Sequence, residues 1–169
     1  MTLHVRTAQF RYSGDDRFDI TRKSGCDDGK VFAPTWNILR DFLMAREEAE
    51  ILLREGFSLG GNPAYAMESE RITKDAWNKY VPLYVAEMRA SHGAQPGAEF
   101  WELLSTDEQL RVIDAIDRGV RYNPGAWKRL LGRDRVVLVC YCSEREMCHR
   151  TLLAQILKKL GAVYHGEVR

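Results

Sequence analysis

The fold of this chain is decided by one stretch, Val136-Val137-Leu138-Val139-Cys140-Tyr141-Cys142-Ser143-Glu144-Arg145-Glu146-Met147-Cys148-His149-Arg150. Its aliphatic, β-branched start predicts a buried strand over 135–142, and the apolar period that follows predicts a helix over 148–160. Gly161 ends that helix, and residues 162–166 predict a last strand. Strand, helix and strand in this order indicate a right-handed parallel crossover.

The rest of the chain supplies further elements of an α/β fold. Residues 5–12 predict a first strand, and residues 18–21 predict a short second strand or an ordered loop. Helices are predicted over 36–55 and again from Thr73, with a kink or break at Pro82, which lacks a backbone N–H. This pattern predicts a small, mainly parallel sheet flanked by helices.

Composition bounds the class of protein. A length of 169 residues suits one domain over 1–169. Lys and Arg number 25 against 24 Asp and Glu, so the net charge of +1 excludes bulk electrostatic attraction to nucleic acid or membrane. The first residues lack the apolar run of a signal peptide, and no 18 apolar residues follow one another. We therefore expect a cytoplasmic protein with no membrane partner.

The 4 cysteines of the chain are too few for a disulfide scaffold. They indicate metal binding, redox or catalytic chemistry, or plain packing. Three of them fall in the quoted stretch, where a strand leads into the N-terminus of a helix. Open α/β folds bind ligands at this edge of the sheet, so we place the functional site there.

The pattern Cys140-x-Cys142-x5-Cys148-His149-Arg150 resembles the DUF488 family, a domain of unknown function. The resemblance extends over most of the chain, to Phe10-Arg11-Tyr12-Ser13-Gly14, Asp19-Ile20-Thr21-Arg22, Phe32-Ala33-Pro34, Tyr80-x3-Tyr84-x3-Met88-Arg89-x-Ser91 and Leu160-Gly161-Ala162-x-Tyr164-x-Gly166-Glu167. It implies a small Rossmann-like α/β fold. It implies no activity, so function has to be argued from the residues.

Four chemistries are compatible with the cysteine loop, and the first is zinc binding. Zn–S bonds of about 2.3 Å hold two sulfurs roughly 3.8 Å apart. Cys140 and Cys142 in an extended strand have Cα atoms about 6.6 Å apart, so both bind one ion only if the chain bends between them. Cys148 and His149, adjacent at a helix start, are expected to point in diverging directions. We assign no metal ligand from the sequence.

The second chemistry is nucleophilic catalysis by a thiolate. A cysteine near a helix N-terminus and an arginine has its charged form stabilised. Cys142 and Cys148 meet this condition, and His149 is the neighbouring base, with His165 as an alternative. These three residues, Cys142, Cys148 and His149, are our predicted catalytic set.

The third chemistry is anion binding, for which Arg150, the amides of the helix N-terminus and the Thr151 hydroxyl are suited. If the first strand lies beside the cysteine strand, the same edge gains further polar and aromatic groups, namely Arg11, Tyr12, Ser13, Thr21 and Arg22. A nucleotide or a nucleic-acid element suits this set, with Tyr12 or Trp36 available for stacking.

The fourth alternative is purely structural. Cys140 lies in an apolar strand and is expected in the core, and Arg150 can pair with a carboxylate. For the cluster as a whole we predict a domain that binds a phosphate-bearing ligand, with cysteine-dependent catalysis as a further step. The alternative is a non-catalytic interaction domain with structural or zinc-binding cysteines. The sequence identifies no cofactor and no reaction. A cation in the first turn of a helix stabilises the fold poorly unless an anion is present, so we predict that Arg150→Ala abolishes ligand binding or activity and leaves thermal stability within the scatter of surface mutants.

Overall fold

A computed structural model describes residues 2–142 and 147–168. Within them lie four strands and six helices, in the order β1 (His4–Gln9), β2 (Arg17–Asp19), α1 (Asp27–Lys30), α2 (Trp36–Ser58), α3 (Pro63–His92), α4 (Thr106–Asp117), α5 (Pro124–Leu131), β3 (Arg135–Cys140), α6 (His149–Lys159) and β4 (Val163–Glu167). The predicted α/β class is confirmed. None of these helices is long and apolar enough to cross a membrane.

The chain divides into two compact units, Met1–Pro34 with Val85–Arg169, and Thr35–Tyr84. The first unit holds the whole sheet and the cysteine loop. The second holds α2 and most of α3. The prediction of one domain over 1–169 stays a prediction.

The sheet has four parallel strands in the order β2-β3-β1-β4. β3 lies between β2 and β1, and five of its six residues, from Val136 to Cys140, are buried. Such a continuous aliphatic run is typical of a parallel strand that is covered on both faces. The register places Gln9 opposite Cys140, so β1 and β3 end together at the carboxyl edge of the sheet.

Helix α6 covers one face of this sheet and contacts β1, β3 and β4. Its buried residues Leu153, Ala154 and Leu157 recur at helical spacing, as the sequence predicts. Lys158 and Lys159 in the last turn complement the negative end of the helix. Gly161 follows with a φ of +98°, a left-handed conformation in which a side chain would be strained.

The second unit is built on contacts between α2 and α3. Phe42 of α2 packs against Tyr80 and Trp77 of α3, with ring centroids 5.1 Å and 5.5 Å apart. The sequence places the start of the second helix at Thr73 and a kink or a break at Pro82; the start is wrong, and so is the break. α3 begins at Pro63 and continues through Pro82. Buried Tyr80 and Tyr84 flank the proline, and their packing offsets the one lost backbone hydrogen bond.

Candidate functional site

The cysteine loop brings four metal-ligating side chains together. One donor atom from each of Cys140, Cys142, Cys148 and His149 lies within 4.8 Å of the others. The Sγ atoms of Cys140 and Cys148 are 2.9 Å apart. We refer to these four residues as the Cys/His cluster. It lies at the carboxyl edge of the sheet, where β3 ends and α6 begins.

Two features of the backbone explain this convergence. β3 ends at Cys140 and the chain bends at Tyr141, so Cys142 does not continue along an extended strand. Cys148 is the N-cap residue of α6 and has extended backbone angles, whereas His149 is already helical. The expectation that Cys148 and His149 point in diverging directions is therefore wrong. Residues 143–146 of the quoted stretch lie outside the described residues.

The three thiols of the cluster do not share one pKa. Hydrogen bonds from Cys142 and then Cys148, together with the nearby positive charge of Arg150, lower the pKa of Cys140 to about 2. The hydrogen bond to Cys140 raises the pKa of Cys142 to about 11, and burial raises that of Cys148. These shifts favour a thiolate on Cys140 that accepts hydrogen bonds from two neutral thiols. From the sequence, the reactive thiol was predicted to be Cys142 or Cys148 and Cys140 to be a core residue; Cys140 is indeed fully buried.

His149 is oriented by a backbone contact. Its Nε2 lies 3.1 Å from the carbonyl oxygen of Ile20, the residue that follows β2 by one position. A carbonyl only accepts, so Nε2 carries the hydrogen and donates it. Burial lowers the pKa of His149, so the ring is neutral and its lone pair is on Nδ1.

Arg150 is fully buried, with 0% of its side chain exposed, and is held by three acceptors. Its Nη1 donates to the carbonyl oxygen of Cys142 at 2.8 Å and approaches Cys140 Sγ at 3.3 Å. Its Nη2 donates to Oε1 of Glu167 at 3.0 Å. This geometry favours the structural alternative, in which Arg150 pairs with a carboxylate, and that carboxylate is Glu167.

The remaining predicted ligand residues are placed differently from one another. Arg11 and Ser13 are exposed and Thr151 is half-buried. Tyr12 donates to Oδ1 of Asp16 at 2.7 Å, and Nη1 of Arg22 donates to the carbonyl oxygen of Pro34 at 2.8 Å. A ligand role for these residues stays a prediction.

Two of these placements bear on whether the predicted ligand residues share one site with the cysteines. Thr21 is buried next to Ile20, which joins its segment to the Cys/His cluster through His149. Tyr12 instead lines a cavity of about 440 Å³ whose other lining residues include His4, Arg6 and His165. The lining of that cavity contains no cysteine of the cluster.

Three features escaped the sequence analysis. Glu167 was noted only as part of the family resemblance, although it ends the strand next to β1 and so reaches the same sheet edge as the cysteines. Cys140 was read as packing because its strand is apolar. The stacking of Phe10 on Tyr141 was also missed, and it follows from the register that aligns β1 with β3.

Comparison with known proteins gives one match. Residues 123–161 fit the family model DUF488-N3a, described as the active DUF488-N3 subclade. The matched segment runs from the N-cap of α5 to the glycine after α6 and contains the whole Cys/His cluster. The match supports the resemblance to the DUF488 family that the pattern from Cys140 to Arg150 indicates. No curated protein and no solved structure matches the chain.

Proposed function

We propose that this chain, which the match assigns to the DUF488 family, holds a zinc ion in its Cys/His cluster. The observation that carries the proposal is the convergence of four donor atoms to within 4.8 Å. Three thiolates and one imidazole are a common ligand set of four-coordinate structural zinc sites. Three of the four residues are buried and Cys142 is half-buried, as expected of a closed centre.

The surroundings of the cluster fit a metal centre. Zinc binds thiolates, and the lowered pKa of Cys140 favours the thiolate form of this ligand. The Ile20 carbonyl fixes the tautomer that presents Nδ1, as outer partners of metal-ligating histidines do. The 2.9 Å between the Cys140 and Cys148 sulfurs is less than the roughly 3.8 Å of two sulfurs on one zinc, so ligation widens this pair.

In this proposal the ion ties the end of β3 to the start of α6. Its effect is a gain in folding free energy, since the ligands converge only in the folded chain. The test is the metal content of purified wild-type protein, Cys148→Ser and Cys26→Ser, measured by mass spectrometry. Cys26 is exposed and lies outside the cluster, so it is the matched control.

We expect stoichiometric zinc in the wild type and in Cys26→Ser, and loss of zinc in Cys148→Ser. The proposal is rejected if the wild type neither contains zinc nor takes it up in a titration at neutral pH. It is equally rejected if Cys148→Ser keeps its zinc.

A second function, cysteine-dependent chemistry on a phosphate-bearing ligand, is favoured by a separate observation. The low pKa of Cys140 favours a thiolate at neutral pH. Cys142 is partly exposed to solvent, whereas Cys140 and Cys148 are buried. The matched subclade is described as active, and the match contains these residues. Cys142, Cys148 and His149 remain the predicted catalytic set, with Cys140 added as the ionised member.

Thiol alkylation separates this function from a purely structural cluster. In chelator-treated protein, iodoacetamide labelling at mildly acidic pH followed by peptide mapping identifies which cysteine reacts first. A catalytic loop predicts labelling of a cluster cysteine ahead of Cys26, although Cys26 is the exposed one. Labelling of Cys26 alone excludes a reactive thiol in the cluster.

A further inference from the structure

Tyr141 is an exposed aromatic residue between two cysteines of the cluster. Its side chain is 61% exposed, although the preceding residues of β3 are buried. One face of its ring stacks on Phe10, with centroids 3.9 Å apart and planes 23° apart. Tyr141 thus presents a large aromatic side chain to solvent at the edge of the sheet where open α/β folds bind ligands.

Arg17 supports the stack through a cation–π contact with Phe10. The guanidinium of Arg17 lies over the Phe10 ring, 4.6 Å from its centroid. Since Tyr141 covers one face of Phe10, Arg17 occupies the other. Arg17 is itself held, because Nη2 donates to the Phe10 carbonyl oxygen at 3.1 Å and lies 3.7 Å from a carboxylate oxygen of Asp19.

The sheet register positions these residues. Gln9 and Cys140 are paired across β1 and β3, so Phe10 and Tyr141 are the first residues beyond the two paired strand ends. The result is a column of Arg17, Phe10 and Tyr141, in which Tyr141 is the last member. We call this the aromatic column. Because these contacts already order the Tyr141 ring, less side-chain conformational entropy is lost when a ligand stacks on it.

We propose that the aromatic column binds the base of a nucleotide or of a single-stranded nucleic acid, stacked on Tyr141 beside the Cys/His cluster. Every nucleobase has a flat π-face that stacks on an aromatic side chain. Exposed Arg11 follows Phe10 in the chain and supplies a positive charge for the phosphate. The proposal rests on the second function above, ligand binding at the cysteine loop, and adds the chemical class of the ligand.

The test measures dissociation constants of the zinc-loaded or as-purified protein by calorimetry with four probes. Adenosine carries the base alone, ribose 5-phosphate the phosphate alone, and adenosine monophosphate both. A short single-stranded oligonucleotide represents the polymer. We expect adenosine monophosphate to bind more tightly than ribose 5-phosphate.

The variants are Tyr141→Ala, Tyr141→Trp and Tyr122→Ala. Loss of the stacked ring in Tyr141→Ala should weaken binding of the base-bearing probes by about 5- to 150-fold and leave ribose 5-phosphate unchanged. Tyr141→Trp should retain binding. Tyr122, 54% exposed in the same compact unit, is the matched control and should have no effect when replaced by Ala.

Equal binding of adenosine monophosphate by the wild type and a folded Tyr141→Ala overturns the proposal. So does equal affinity of the wild type for adenosine monophosphate and ribose 5-phosphate, which would leave phosphate binding standing without a base site. Equal affinity for adenosine and adenosine monophosphate supports base binding by the aromatic column and contradicts the proposed function of binding a phosphate-bearing ligand. Tighter binding of the oligonucleotide supports the column with a polymer as its source, and tighter binding of the mononucleotide supports it with a free nucleotide.

Discussion

Arg150 and Glu167 form a buried ion pair that joins the first turn of α6 to the end of β4. The Nη2 to Oε1 distance is 3.0 Å, and the two side chains are 0% and 13% exposed. A cation in the first turn of a helix opposes the helix dipole. The carboxylate of Glu167 offsets that repulsion and the desolvation of the guanidinium, while the Cys142 carbonyl takes a second hydrogen bond.

Arg150→Ala is therefore expected to destabilise the protein by about 3–5 kcal/mol, because it leaves the half-buried Glu167 carboxylate without its partner. Urea denaturation of wild type and variant gives the difference in unfolding free energy. Arg11→Ala, at an exposed arginine, is the control and should change stability by less than about 0.5 kcal/mol. A loss below about 1 kcal/mol in Arg150→Ala would show that the ion pair does not stabilise the fold.

The strand and the helix that form this site could be predicted from the sequence, but the ion pair between Arg150 and Glu167 could not. β3 and α6 follow from the valine run and from the apolar period of Leu153 and Leu157, which are local signals. The ion pair spans 17 residues and depends on β4 lying next to β1, at the same sheet edge as the cysteines. Strand order is set by long-range packing, so Glu167 could not be assigned to Arg150 from local pattern.

The start of α3 is a local feature that the sequence pattern nevertheless failed to predict. Gly60-Gly61-Asn62-Pro63 has the composition of a turn, and the next helix was predicted to start only at Thr73. In the structure Pro63 is the first residue of α3, a position where its missing N–H has no cost. Residues 64–72 are helical but mostly exposed, so they lack the regular buried stripe by which hydrophobic periodicity detects a helix.

The cysteines of the cluster should make the stability of the metal-free protein depend on pH in two directions. The pKa of Cys140 is lowered from 9.0 to about 2, so its contribution is complete above pH 9 and is lost as the pH falls towards 2. The pKa of Cys142 is raised from 9.0 to about 11, so its contribution is complete below pH 9 and is lost as the pH rises through 11. Unfolding free energy from this pair should peak near pH 9.

Chemical denaturation of chelator-treated wild type and Cys140→Ser over a pH series tests this dependence. Between pH 5 and 8 the stability of the wild type should rise with pH more steeply than that of Cys140→Ser, by at most about 1.4 kcal/mol per pH unit. Cys26→Ser, outside the cluster, should follow the wild type. Parallel curves for wild type and Cys140→Ser would exclude an ionised Cys140.

Helix α4 begins with a capping box, and its contribution to the free energy of unfolding can be measured separately. The Ser105 hydroxyl accepts from the backbone N–H of Glu108 at 3.3 Å, and the Glu108 carboxylate accepts from the backbone N–H of Ser105 at 2.9 Å. Ser105→Ala should lower the unfolding free energy by about 1 kcal/mol. Ser58→Ala, at an exposed serine in the last turn of α2, should cost less.

The same capping box should weaken in acid. The backbone N–H of Ser105 and then the Arg89 side chain lower the pKa of Glu108 from 4.5 to about 2. The stability that this carboxylate contributes is present above pH 4.5 and is lost as the pH falls towards 2. Glu108→Gln should therefore be less stable than the wild type at pH 6, and the difference should shrink by pH 3. A difference that does not change with pH would contradict the role of the charge.

Thr21 offers the opposite kind of test, because its hydroxyl is buried with no hydrogen-bond partner among the residues the structure describes. The residue is 5% exposed, and its backbone N–H donates to Oδ1 of Asp19 at 2.9 Å, which does not involve the side chain. Valine has nearly the same shape and removes the unsatisfied oxygen. Thr21→Val should thus leave the unfolding free energy unchanged or raise it by about 1 kcal/mol, as measured by urea denaturation.

Thr21→Ser is the companion variant, since it keeps the hydroxyl, loses the packed methyl group and should be destabilised. A loss of more than about 1 kcal/mol in Thr21→Val would mean that the hydroxyl has a partner in solution, either ordered water or a ligand at the sheet edge next to His149.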